Sequence, residues 1–159
     1  MTLEDMLNLA EQQAQRVLLG TKEELMPSWL LVTGKGAVEI YATPWSNTRE
    51  KHLVTLCMKD IMREKHCTAY SLLVEAWMAT VAGEEAKEPY DGPPPSERPD
   101  RQECVVIMAV DHAGKHVHKH LMIKRDAEGR CAELRRLDGP EDKITSMIFD
   151  NLLHRGRPH

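Results

Sequence analysis

The sequence predicts an α+β fold: a largely antiparallel sheet of about six strands with three helices, in the order α-β-β-α-β-loop-β-β-β-α. Three observations carry that reading. Short apolar runs are separated by glycine-containing turns too brief to house a crossover, so neighbouring strands must pair antiparallel. Two capped segments in the first half repeat apolar residues at helical spacing. The chain has 159 residues, 42% of them hydrophobic. That is enough for one globular unit spanning 1–159 to bury a core without a disulfide or a structural metal.

The elements follow in order. Thr2 with Asp5 three residues later forms an N-terminal cap. Leu3, Met6, Leu7, Ala10, Ala14, Val17 and Leu18 follow at helical spacing and Gly20 is a stop, which predicts a helix over 3–19. Residues 28–33 and 37–42 are short β-rich runs, and Gly34-Lys35-Gly36 supplies the glycines of a hairpin turn rather than a phosphate loop. Asn47 and Glu50 cap a second helix whose apolar stripe is Leu53, Val54, Cys57, Met58, Ile61 and Met62. Arg63, Lys65 and His66 suit its C-terminal end. Residues 68–81 fit either a strand or a helix. The β-branched and aromatic residues through their middle favour a strand.

Residues 83–100 are rich in proline and predict a loop, with a spacer at Pro93-Pro94-Pro95. Cys104 to Val110, His116 to Lys124 and Cys131 to Leu137 then read as a meander. Its turns are taken as Ala113-Gly114 and Ala127-Glu128-Gly129. Asp138-Gly139-Pro140-Glu141 opens a last helix along Ile144, Met147, Ile148 and Leu152. The basic tail at 154–159 is expected to fray.

Lys plus Arg is 21 and Asp plus Glu is 25, a net charge of −4. That balance argues against a strongly basic nucleic-acid surface and against a highly charged disordered chain. Met1-Thr2-Leu3-Glu4-Asp5 carries acids where a signal peptide carries bases. No apolar stretch approaches the length of a membrane span. Cys57, Cys67, Cys104 and Cys131 form no Cys-x-x-Cys pair, and reduced thiols in a cytoplasmic protein are the simpler expectation.

The most concentrated chemistry is the histidine strand. His116, His118 and His120 alternate, so all three project from one face. A two-residue turn at Ala113-Gly114 pairs Asp111 with His116 and brings that carboxylate to the same face. His116, His118 and Asp111, with His120 in reserve, then form a ligand set for a divalent metal such as zinc, with one position open for water. Against this stands the plain alternative, a solvated strand face on which imidazoles alternate with core residues. Lys115, Lys119 and Lys124 beside them disfavour a cation.

Glu75, a carboxylate inside the apolar run Leu73-Val74-Glu75-Ala76-Trp77, is the candidate general base. The commoner role of such a Glu is structural, facing solvent or tied to an arginine. Lys124, Arg125, Arg130, Arg135 and Arg136 offer a basic patch for nucleic acid, although a solvated sheet explains them equally well.

Two stretches, Leu73-Val74-Glu75-Ala76-Trp77 and Ser96-Glu97-Arg98-Pro99-Asp100-Arg101-Gln102-Glu103, together resemble small bacterial and phage-related proteins. In those proteins a Glu-Ala-Trp strand precedes a segment containing Pro-Asp-Arg. The resemblance implies no known activity. It does imply that Glu75 meets Arg98 or Arg101 at the mouth of the long loop, in a pair that is either architectural or lines a binding site.

The sequence therefore points first to a non-catalytic binding or assembly module. Trp29, Trp45 or Trp77 would serve as apolar anchors, and a sheet edge would be the surface of a homo-oligomer. A metal-dependent hydrolase built on the His-x-His strand is the alternative, and nucleic-acid binding is the third.

Overall fold

The computed structural model describes residues 1–81, 92–93, 95–137 and 146–149. Helix α1 (Leu3–Leu18) begins with a reciprocal cap. The Thr2 hydroxyl accepts from the Asp5 backbone N–H at 3.0 Å, and the Asp5 carboxylate accepts from the Thr2 N–H at 2.8 Å. Two donors that a helix start leaves open are thereby satisfied. The helix stops before Gly20, whose positive φ turns the chain so that its N–H donates to the Cys131 carbonyl. Helix α2 (Thr48–Glu64) starts at Asn47, whose side chain accepts from the Glu50 N–H at 2.8 Å.

The strands are β1 (Ser28–Val32), β2 (Val38–Ala42), β3 (Ala69–Val81), β4 (Gln102–Asp111), β5 (His116–Arg125), β6 (Cys131–Arg136) and β7 (Ser146–Phe149). Six of them form one antiparallel sheet in the order β2-β1-β3-β4-β5-β6, and β7 pairs with the far end of β3. The α+β class and the antiparallel sheet stand as expected. Residues 69–81 are strand, as their β-branched content favoured.

Among the described residues the sheet carries one helix on each face. On the first face, Met6, Leu7, Ala10, Ala14 and Leu18 of α1 pack on Leu30, Leu73, Val105, Ile107, Leu121 and Ile123. On the second, Met58 of α2 lies with Trp29, Leu31, Leu72, Val74, Cys104, Val106 and Met122. Strands buried on both faces lose the alternation of a half-wet sheet, which is why Cys104–Ile107 reads as a continuous apolar run.

Three hairpins turn in the same way. Thr33, Asp111 and Asp126 each donate their N–H to the carbonyl four residues on, at 2.8, 2.9 and 2.9 Å. Gly36, Gly114 and Gly129 donate back to those same residues. The Thr or Asp side chain accepts from the residue that closes the turn, at 3.1, 2.9 and 3.0 Å. The glycines sit at φ 82°, 85° and 83°, a conformation side-chain-bearing residues rarely adopt.

Two expectations are corrected. The turn after β4 holds three residues, not the two of Ala113-Gly114, so His116 pairs with Val110 and His118 with Met108. Ser146–Phe149, expected in the closing helix, are a strand antiparallel to Met78–Val81. The rest of that expected helix, the tail at 154–159 and most of the proline-rich loop lie outside the described residues. Of that loop, Pro95–Glu97 form a single 3₁₀ turn. Among the described residues no helix is long and apolar enough to cross a membrane.

Candidate functional site

The three strand histidines share the α2 face, as their spacing requires. The rings of His116 and His118 are 5.3 Å apart edge to face, and those of His118 and His120 are 6.2 Å apart and stacked. Burial, with the neighbouring His118, lowers the His120 imidazole to about 4, so it is neutral at physiological pH. Asp111 does not join them. With the register shifted by one residue it projects from the opposite face, where its Oδ1 accepts from the Ala113 and Lys115 N–H groups at 3.0 and 2.9 Å. A one-residue slip moves every side chain to the other face of a strand, and here it separates the carboxylate from the imidazoles. Among the described residues no group of three or more His, Cys, Asp or Glu is arranged to hold a metal ion.

Glu75 lies on the α1 face, where its carboxylate accepts from the Leu25 N–H at 2.7 Å. Burial raises the pKa of its carboxyl above the usual carboxylate range. The Leu25 bond opposes that shift, and Glu103 and Glu24 add to it. The bond pins the connector between α1 and β1 so that Leu25 can enter the core. The bond gives this half-buried carboxylate an architectural partner. The arginines expected beside it have other partners. Arg98 donates to both oxygens of Asp100, at 2.8 and 3.0 Å. Arg101 lies over the Trp77 ring, 4.7 Å from its centroid, and donates to the Ser96 carbonyl.

The basic residues of the meander are divided rather than pooled. Lys119 is buried beneath α1, donating to Glu11 at 2.6 Å and to Asn8 at 3.2 Å. Arg125 is held by Glu103 at 2.7 Å and Arg135 by Glu133 at 3.3 Å. In the pairing register Arg136 stands opposite Leu121 and Arg135 opposite Met122, so the two arginines take opposite faces. They compose no single basic surface.

The tryptophans expected as surface anchors also fall elsewhere. Trp29 is only 1% exposed and donates its Nε1–H to the Thr43 hydroxyl at 2.8 Å. Trp45 is half-buried against the α2-face core, and Trp77 is half-buried under Arg101.

Among the described residues, one apolar surface lies at the β2 edge, and Leu53 and Leu56 of α2 are exposed elsewhere. Val38 and Ile40 project from the α1 face and are 43% and 74% exposed, and Leu9 of α1 is 41% exposed nearby. Between them runs a groove of about 260 Å³ lined by Leu9, Gln13, Arg16, Leu30, Val38 and Ile40. The backbone of this edge is open as well. Hydrogen bonds from Thr33 to Ala37 and from Thr43 to Pro27 turn residues 37 and 43 toward β1. By antiparallel alternation residues 39 and 41 turn the same way, and the N–H and C=O groups of Val38, Ile40 and Ala42 face outward. Among the described strands none pairs with β2 on that side. The sequence held the signal: Val38-Glu39-Ile40-Tyr41-Ala42 alternates without a Lys, a Pro or a bulge to protect it.

In comparisons with known proteins, the chain matches no family model, no curated protein and no solved structure.

Proposed function

We propose that this protein is a non-catalytic binding or assembly module of the cytosol, working through the β2 edge and the groove beside it. The observation that carries the reading is Ile40. A large apolar side chain, three-quarters exposed, stands in the middle of an unprotected edge strand above an apolar groove. Such an edge presents both a row of free backbone groups and a hydrophobic strip, which together form a template for another strand. The cytosolic setting is supported by four free cysteines, two of them buried. Burial raises the Cys104 thiol to about 12, which keeps it protonated and inert.

The test is the size of the protein in the cells that make it. In a native extract the full chain is expected to run in a complex larger than one chain, and Ile40→Lys to run at the size of one chain. An unchanged monomeric position for both would sink the proposal.

A further inference from the structure

We infer that the occupant of the β2 edge is the same edge of a second copy, paired antiparallel about a twofold axis through Ile40. The inference rests on the binding reading above and supplies its partner.

The phase of the backbone permits it. The outward groups belong to Val38, Ile40 and Ala42, a set centred on Ile40. Antiparallel partners that exchange both bonds must each present N–H and C=O at the same level. With the axis at Ile40, that residue exchanges both bonds with its own copy, and Val38 exchanges both with the partner's Ala42. No outward group in the strand is left over.

The side chains agree with the same axis. A twofold perpendicular to the sheet keeps the α1 faces of both copies on one side. Ile40 then meets Ile40, flanked by Val38 against Ala42, and the two grooves beside Leu9 become one apolar trough across the axis. On the α2 face Glu39 falls opposite the partner's Tyr41, so no like charges meet directly across the pair. The Glu39 carboxylate engages Lys65 through one oxygen at 2.9 Å. The same oxygen accepts from the chain's own Tyr41 hydroxyl at 3.5 Å.

The experiment is sedimentation of the purified full chain over a concentration series, with three variants. Wild type is expected at twice the mass of one chain. Ile40→Lys and Ile40→Pro are expected at the mass of one chain with unchanged circular dichroism. The proline is informative because it deletes an outward N–H, which the chain's own sheet does not use. Hydrogen-bonded antiparallel partners have Cα atoms about 5.5 Å apart, within disulfide reach. Ile40→Cys, made with Cys57→Ser to remove the exposed native thiol, is therefore expected to form a covalent dimer on oxidation, and Ala132→Cys on β6 is not.

A monomeric wild type at every concentration overturns the inference, as does a dimer that survives Ile40→Pro and gives no Ile40→Cys crosslink. If the purified chain is monomeric while the complex in extracts persists and is lost with Ile40→Lys, self-pairing fails and the binding reading stands. If neither is seen, both fall.

Discussion

At one edge of the sheet β6 carries Glu133, Arg135 and Arg136, all exposed, and a bulge at Lys124/Arg125 breaks its register with β5. At the other edge β2 pairs with β1 over five residues without a shift and presents Val38 and Ile40 to solvent. Charges and bulges are the usual means by which a sheet edge refuses partners. The β6 edge carries both, whereas β2 has no bulge and a single charge, Glu39, which is paired with Lys65. The β6 edge is also covered at Cys131, which exchanges hydrogen bonds with Gly20 and Thr21; on the proposed reading the difference leaves β2 as the edge open to a partner.

The comparison breaks most completely if β2 loses the core that holds it flat. Trp29 on β1 is paired with Tyr41 of β2 and is buried on the α2 face. Trp29→Ala is expected to cost about 3–5 kcal/mol, the range for deleting a large buried aromatic, measured as a shift of the urea midpoint. Exchange protection of the β1–β2 amides should fall with it. A loss below about 1 kcal/mol would mean that the hairpin does not depend on this packing.

How far the fold was legible follows from where each element gets its information. Both observed helices announce themselves locally, through the Thr2/Asp5 and Asn47/Glu50 caps and their apolar periods, and their bounds fall within about two residues of expectation. The register of β4 with β5 depended on one turn. Asp111, His112, Ala113 and Gly114 carry an Asp three residues before a Gly, and Asp126 to Gly129 repeat the pattern. Thr33 to Gly36 use Thr in the same role. Recognising that repeat gives a three-residue turn and moves Asp111 off the histidine face. By contrast, nothing local marks Leu25 as the donor to Glu75, fifty residues away in sequence. Nor does the sequence show that Trp29 is covered, because α2 covers it from a distant part of the chain. Exposure at Ile40 is equally non-local: the same five residues in the middle of a sheet would be a core strand.

A smaller effect sharpens the contrast from the β6 side. His120 on β5 accepts at its backbone carbonyl from Leu137, just past β6. Its folded-state value of about 4 lies below the unfolded 6.5, so the neutral ring is favoured in the native state. The unfolded chain takes up the proton first as pH falls. Stability from this group is therefore complete above 6.5 and is lost progressively toward 4. His120→Gln should flatten the dependence of the urea midpoint on pH across that window. Hydrogen exchange in wild type should show the β5–β6 amides loosening on acidification before those of β1–β2. A pH profile identical in the variant would place the acid sensitivity elsewhere.

The smallest expected effect on stability is also the most direct probe of why the edges differ. Glu133 and Arg135 form a 3.3 Å pair whose side chains are 52% and 62% exposed. Exposed pairs contribute roughly 0–1 kcal/mol, because solvent screens them and two long side chains must be ordered. Replacing both by valine, Glu133→Val with Arg135→Val, should leave the thermal midpoint nearly unchanged. If these charges serve to refuse partners, however, the same variant should gain concentration-dependent association in an Ile40→Lys background, where the β2 edge is already closed. Association without a change in stability would show that β6 is charged to remain single and β2 is apolar to be joined. A drop in stability without association would show that the β6 charges serve the chain's own folding. The two edges would then differ for reasons of internal packing alone.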